Sequence, residues 1–300
     1  MRQLVGGARG GAHSVRGLRW AGVHRSAGTG TWRSAGAERP ARPFRRRAKM
    51  ERLILIHGFT GAPESWLPVL QAGPGLEGRA TALALPGHAG RPPVACWEEA
   101  IETLGREVAA DGEALVHLVG YSMGARAALG LLLRYPQRFA RATLIGVHPG
   151  LPPGPERWAR LQWDHRWIRI LRREGLEAFL QLWEALPLFE TQREATSELL
   201  RLQRAVRRRQ DPDGLASALE AMGLSAMPYM RPELTSIDVP VRLVVGARDK
   251  KFVEVATELV GCFPRGELCV LPAVGHNPIV EAPGALARVL EMRAWKEDAA

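Results

Sequence analysis

The sequence predicts an α/β fold, a mostly parallel sheet with helices on both faces and an all-helical cap. Two observations predict it. Strand-length apolar runs alternate with helix-length amphipathic stretches on either side of a middle section, the pattern of parallel strands joined by crossover helices. That middle section, residues 150–235, reads as helices without a strand. Apolar residues make up 46% of the 300, which allows a sizeable core and excludes a wholly disordered chain.

The first strand is Arg52-Leu-Ile-Leu-Ile-His57, ended by Gly58, and the second is Ala80-Thr-Ala-Leu-Ala-Leu85, ended by Pro86-Gly87. Residues 97–110 are amphipathic over a helix length. Ala114-Leu-Val-His-Leu-Val119 reads as a third strand, 125–134 as a helix with small residues on its near face, and Ala142-Thr-Leu-Ile-Gly-Val147 as a fourth strand. The middle section then predicts helices over 155–174, 176–186, 193–209 and 214–222. Strands resume at 241–245 and 268–271, each followed by a helical stretch, 253–260 and 285–295. The expected organisation is a core of residues 50–149 and 236–300, interrupted by a cap of residues 150–235. An insertion after a sheet strand roofs the carboxyl edge, where α/β proteins bind ligands.

The net charge of +10 is a property of one end of the chain. Residues 1–49 hold 12 of the 41 Lys+Arg against a single acid, Glu38, leaving 29 basic and 30 acidic residues beyond them. The core and cap thus lack the global basic field that holds a nucleic acid. Residues 1–49 have no apolar periodicity and are expected to be a disordered basic extension. Arg exceeds Lys throughout (Lys stands only at 49, 250, 251 and 296), as a GC-rich coding sequence produces, so Met50 is the expected start of the working protein. The alternative is an organelle transit peptide, since the segment is Arg-rich and acid-poor. No apolar run reaches the roughly 18–20 residues that span a bilayer, so no stable membrane insertion is expected. Cys96, Cys262 and Cys269 are odd in number and form no C-x-x-C pair. Neither a disulfide framework nor a metal site is expected, a reducing, cytoplasmic compartment is, and no cofactor is called for.

The chemistry is carried by three placements. Gly120-Tyr121-Ser122-Met123-Gly124 stands between a strand and a helix. In that context a G-x-S-x-G pattern is a sharp, strained turn that lifts the serine above the sheet. Asp249 follows the 241–245 strand and His276 follows the 268–271 strand, both just past a strand's carboxyl end. Ser, acid and His in this chain order are the triad of an α/β-hydrolase fold. His276 would take the proton of Ser122, and Asp249 would fix the ring's tautomer and stabilise the imidazolium. Two backbone N–H groups, of Met123 after the serine and Phe59 in His57-Gly58-Phe59-Thr60-Gly61, are placed to form an oxyanion hole.

At these residues the chain resembles a particular branch of the fold. His57-Gly-Phe-Thr-Gly with Ser65-Trp66, Leu85-Pro-Gly-His88, Gly120-Tyr-Ser-Met-Gly124 with Arg126, His148-Pro-Gly-Leu151, Asp249-Lys-Lys-Phe252, Gly275-His276-Asn277 and the cap pattern Glu156-Arg157…Arg160…Asp164 are similar to the 2-succinyl-6-hydroxy-2,4-cyclohexadiene-1-carboxylate synthases of menaquinone biosynthesis. The resemblance covers about residues 52–292. It implies a lyase that eliminates pyruvate from a succinyl-enolpyruvyl-hydroxycyclohexene carboxylate, with the triad serine as base. It also implies a small polycarboxylate substrate held by Arg126, Arg160 and Arg207, with Tyr121 and Trp183 lining the pocket. Arg suits that task because its planar fork pairs bidentately with carboxylate.

Other readings of the same residues stand beside this one. Residues 150–235 contain 13 Arg and 12 Asp+Glu, so most of these arginines are expected on a solvated cap surface. Trp158, Trp163 and Trp167 are expected in the cap core. Gln210 stands where the family often has Asn, and Ala89 interrupts the usual Pro-Gly-His-Gly. A serine carboxylesterase or carbon–carbon bond hydrolase of the same fold would share the triad and differ in having apolar cap walls. A non-catalytic binding protein on this fold would be expected to have a broken triad, and this one is intact. Oligomeric state is not legible in the sequence.

Overall fold

The computed structural model describes residues 51–110 and 115–292. Residues 1–50, 111–114 and 293–300, and with them the expectations for the basic extension, lie outside the described residues. Six strands form one sheet: β1 (Arg52–Ile56), β2 (Ala80–Leu83), β3 (Val116–Tyr121), β4 (Phe139–Ile145), β5 (Val241–Gly246) and β6 (Gly266–Leu271). Their order is β2-β1-β3-β4-β5-β6, and every pairing is parallel.

Parallel strands buried on both faces need apolar side chains at every position rather than at alternate ones. Strand β1 meets that need from Leu53 to Ile56, whereas β3 also buries His117, which is hydrogen-bonded to Thr143. Ile54 and Ile56 of β1 join one core; Leu53 and Leu55 join the other. The first core is covered by α2 (Trp97–Ala110), α3 (Met123–Arg134) and α8 (Lys250–Val260). The second is covered by α1 (Leu67–Ala72), α9 (Pro278–Glu281) and α10 (Pro283–Glu291). Helix α2 illustrates the periodicity: Trp97, Ala100, Ile101, Leu104 and Val108 are its buried stripe, at the i, i+3, i+4, i+7 spacing of one helix face. Full burial of each large aliphatic side chain contributes roughly 1.5–3 kcal/mol before entropy is counted.

Between β4 and β5 run α4 (Pro155–Arg173), α5 (Gly175–Glu184), α6 (Ser197–Arg207) and α7 (Pro212–Met222). The single helix expected over 193–209 is two segments. A 3-10 stretch, Pro187–Glu194, ends at Ala195, and α6 starts afresh because the Thr196 side chain accepts the Leu199 N–H. The third strand reaches Tyr121 instead of ending at Val119, since Gly120 and Tyr121 still pair with Leu144 and Ile145. The tryptophan expectation is corrected. Trp167 is buried, but Trp158 is 65% and Trp163 39% exposed. The buried stripe of α4 is Asp164, Trp167, Ile168, Ile170 and Leu171, and the helical period carries Trp158 away from it. No helix among the described residues is long and apolar enough to cross a membrane.

Ala89 adopts φ +52 in the loop after β2, a left-handed conformation in which a Cβ is strained. Ala89→Gly is therefore expected to stabilise the protein by about 0.5–1 kcal/mol, the strain relieved exceeding the added unfolded-state entropy. Urea unfolding measures it, and an unchanged or lowered midpoint would contradict the strain.

Candidate active site

Strand β1 connects outward to β2 at the edge, whereas β3 connects the other way to β4. Their carboxyl ends lie side by side where the winding reverses, the crevice in which open α/β sheets bind ligands. Ser122 sits there between β3 and α3, with φ +52 and ψ −110. Backbone strain of this kind costs on the order of 1–3 kcal/mol and is held by its surroundings. One support is the hydrogen bond from Ser122 N–H to Ile145 O, 2.8 Å. Another is the absence of a side chain at Gly124, where a Cβ would stand 2.3 Å from the carbonyl oxygens of Ile56 and His57. The start of α3 thus presses directly onto the end of β1. Among the described residues, neither the Met123 N–H nor the Phe59 N–H is taken up by an acceptor of the protein.

Asp249 Oδ2 lies 2.6 Å from His276 Nδ1, and His276 Nε2 lies 3.2 Å from Ser122 Oγ. With a carboxylate at Nδ1, the neutral ring carries its proton there and presents a lone pair at Nε2 to the serine hydroxyl. The other oxygen of Asp249 caps α8, accepting from Phe252 N–H at 3.4 Å. One carboxylate thereby fixes the helix and the ring. His276 is buried, its ring 4.5 Å from Phe252 and 5.6 Å from Tyr121.

His57 and His88 hold the turn that carries Phe59. His57 donates from Nδ1 to Gly58 O (2.8 Å) and accepts the Leu85 N–H at Nε2 (3.1 Å). His88 donates from Nδ1 to Pro86 O (3.0 Å) and accepts the Thr60 N–H at Nε2 (3.3 Å). Both rings are fully buried. Burial is the main reason that each is hard to protonate: His57 is lowered to about 3, with His88 as the next cause, and His88 to about 4. Gln210 completes the clasp from the cap side. Its Oε1 accepts the Ala89 N–H at 2.9 Å, while its Nε2 donates to Gly61 O (2.9 Å) and Val206 O (3.3 Å).

A cavity of about 600 Å³ opens above the serine, and every site residue singled out in the sequence lines it: Phe59, Tyr121, Ser122, Met123, Arg126, Arg160, Trp183, Arg207, Asp249 and His276. The three arginines differ in what they already hold. Arg160 Nε is paired with Asp164 at 2.8 Å, and Arg207 Nη1 with Glu184 at 3.0 Å, lying over the Phe189 ring. Arg126 donates to Met222 O at 3.2 Å and approaches Met227 Sδ at 3.5 Å, neither of them charged. Burial, and then the nearby Arg160, lower the Arg126 guanidinium to about 9, leaving it charged at neutral pH. Sequence reasoning assigned no place in the cavity to Lys251, His148 or Trp163. Lys251 and His148 stand just past β5 and β4, so the strand-end rule that located Asp249 and His276 also pointed to them. Burial and the cations Arg126, Lys251 and Arg160 lower His148 to about 4. The remaining wall is mostly apolar, including Leu186, Phe189, Leu199, Leu202 and Val280, with Thr60, Ser65, Gln203 and Asn277 as its polar members. Among the described residues no group of three or more His, Cys, Asp or Glu side chains is placed to hold a metal ion.

Residues 53–289 match the alpha/beta hydrolase family. The chain is 32% identical over 250 residues to 2-succinyl-6-hydroxy-2,4-cyclohexadiene-1-carboxylate synthase of Enterobacter sp. (strain 638), covering 80% of this chain and 92% of that protein. It is also 32% identical to the enzyme of the same name from Klebsiella pneumoniae, over 79% of this chain and 91% of that one. Among solved structures it is similar to MenH from S. aureus, with a TM-score of 0.76 and 26% identity over 80% of this chain and 91% of that chain.

Two of the buried histidines, His57 and His88, give a pH prediction. They stay neutral in the fold, but in the unfolded chain they protonate near 6.5. Below that value the unfolded state binds more protons, so stability is full above about pH 6.5 and falls as the pH drops toward 4. At pH 5 each histidine costs on the order of 2 kcal/mol. Urea midpoints at pH 7.5 and 5 check this. His88→Gln is expected to take up about one proton fewer on unfolding, and an identical pH slope in that variant would refute the assignment.

Proposed function

For this chain, which belongs to the alpha/beta hydrolase family and within it to the 2-succinyl-6-hydroxy-2,4-cyclohexadiene-1-carboxylate synthases, we propose that it eliminates pyruvate from 2-succinyl-5-enolpyruvyl-6-hydroxy-3-cyclohexene-1-carboxylate in menaquinone biosynthesis. The observation that carries the reading is Arg126: a buried guanidinium at the cavity wall to which no carboxylate of the described residues is hydrogen-bonded, Asp164 acting on it only from its pairing with Arg160. Such a desolvated cation is relieved by an anionic ligand. Arg160 and Arg207, each balanced by its own acid, bind further carboxylates less strongly than Arg126. Tyr121 and Trp183 complete the pocket.

Ser122 Oγ takes the ring proton as its own proton passes to His276 Nε2, and Asp249 stabilises the imidazolium. The ring C–H bond breaks, a ring double bond forms, and the C–O bond to the enolpyruvyl group is released. The departing enolpyruvate is protonated to pyruvate. Charge delocalised onto the succinyl ketone is met by the Phe59 and Met123 N–H groups. No cofactor takes part. The cytoplasm is the proposed location, in keeping with the free thiols of Cys96, Cys262 and Cys269.

A second reading, a serine carboxylesterase or C–C bond hydrolase, draws support from the apolar cavity wall and from the two arginines already neutralised. Two measurements decide between them. Wild type is expected to release pyruvate from the enolpyruvyl substrate, and none released would promote the hydrolase. Arg126→Ala is expected to lower kcat/KM for that substrate by about 10- to 100-fold, one charge-assisted bond, with weak repair by Arg126→Lys. Turnover of a neutral ester should barely change, and equal losses on both substrates would mean that Arg126 supports the fold. Ser122→Ala, Asp249→Asn and His276→Ala are each expected to abolish most activity while the protein stays folded. The Ser122/His276 double variant should lose far less than the sum of the single effects.

A further inference from the structure

The triad histidine stands on a loop between β6 and α9, a helix of only four residues, so no regular element holds its backbone. Gly275, His276 and Asn277 are all buried, and buried amide N–H groups need acceptors. One side chain supplies two of them. The Glu281 carboxylate accepts the Gly275 N–H at Oε2 (2.6 Å) and the Asn277 N–H at Oε1 (3.0 Å), taking the amides on both sides of His276. The Asn277 carbonyl in return accepts the Glu281 N–H at 2.9 Å. This is the reciprocal logic of a capping box, used here to fix a loop rather than a long helix. Gly275 is required for the fit, since a Cβ there would come 2.9 Å from Glu281 Oε2 and closer still to Thr191 Oγ1.

We infer that Glu281 is a positioning residue for the Ser122–His276–Asp249 relay, holding the His276 backbone through both flanking amides and adding a second anion close to the imidazolium formed in turnover. The inference rests on the reading that His276 takes the Ser122 proton. Glu281 and Asp249 both act on Tyr121, after burial and Arg207, and the Tyr121 ring lies against His276. The charged and titratable groups around this corner are Asp249 and Lys251 at the start of α8, Arg248 before it, Tyr121 at the end of β3, Arg207 of α6, and Glu190 and Glu194 of the 3-10 segment. Arg248 is engaged bidentately by Glu194 (2.7 and 2.8 Å) and interacts with the Glu281 charge, but the hydrogen bonds of the Glu281 carboxylate go to the two amides.

Two variants separate geometry from charge. Glu281→Gln keeps the length but loses the anion and sets an NH₂ donor against one amide, whereas Glu281→Asp keeps the anion but cannot reach both amides. The readout is the rate at which a neutral fluorophosphonate labels Ser122 between pH 5 and 9, with thermal melting alongside. This reports the Ser–His pair without any enolpyruvyl substrate, so failure of the lyase assignment leaves it intact. Both variants are expected to lower the limiting rate by about tenfold or more, as a loosened catalytic geometry does. The acid limb of the Glu281→Gln profile is expected to move to lower pH by on the order of half a unit, because removing an anion disfavours the imidazolium. The Glu281→Asp limb should stay near that of wild type. A Glu281→Gln limb coinciding with wild type would make Glu281 an ordinary loop anchor and overturn the inference. If Glu281→Gln does not fold, Glu281→Asp decides: a wild-type limiting rate overturns it. Unlabelled wild type would overturn the relay reading and this one together.

Discussion

The start of α3 rests on the carboxyl end of β1 with no side chain between them, and much of the site follows from that contact. Any Cβ at Gly124 would strike the Ile56 and His57 carbonyl oxygens, so the approach exists only because that position is glycine. The chain must then turn from β3 into α3 within a single residue. Ser122 carries the resulting strain at φ +52, and its hydroxyl is lifted toward the cavity. The same contact brings the turn after β1 beside the first N–H of α3, so that Phe59 and Met123 line one cavity. Local strain, helix position and the placing of the Phe59 and Met123 N–H groups are consequences of one close approach.

The buried electrostatics divide the site into neutral parts that hold shape and charged parts that line the cavity. His57 and His88 are neutral because they are desolvated, and neutrality is what lets each ring donate at one nitrogen and accept at the other. Protonation would remove both acceptors that hold the Leu85 and Thr60 amides. The cations Arg126, Arg160, Arg207 and Lys251 stand around the cavity instead. Pairing Arg160 with Asp164 and Arg207 with Glu184 lowers the cost of burying two of them, and Arg126 is left with uncharged hydrogen-bond partners.

Two positions that depart from the related synthases prove to touch each other. Ala89 and Gln210 are where the sequence resemblance to the synthases breaks, and the Ala89 N–H donates to Gln210 Oε1. The longer amide also reaches Gly61 and Val206, so the cap, the loop after β2 and the turn after β1 share one side chain. In the sequence they are 121 residues apart and unrelated. In the fold they are one contact, away from Ser122, Asp249 and His276.

Local pattern determined the strands, the order of the triad and the strand ends on which Ser122, Asp249 and His276 sit, because periodicity, glycine placement and chain order are all short-range properties. Every residue assigned to the site by that route lines one cavity. The end of β3, the break before α6 and the exposure of Trp158 were decided by strand pairing, by the Thr196 cap and by which face of α4 finds a partner. Only the tertiary structure decided which of the three arginines has no acid hydrogen-bonded to it, what His88 holds, and that Glu281 grips the amides flanking His276. Each of these depends on which groups meet across the fold. A sequence names the donors and acceptors, but pairing them requires the distances that packing alone sets.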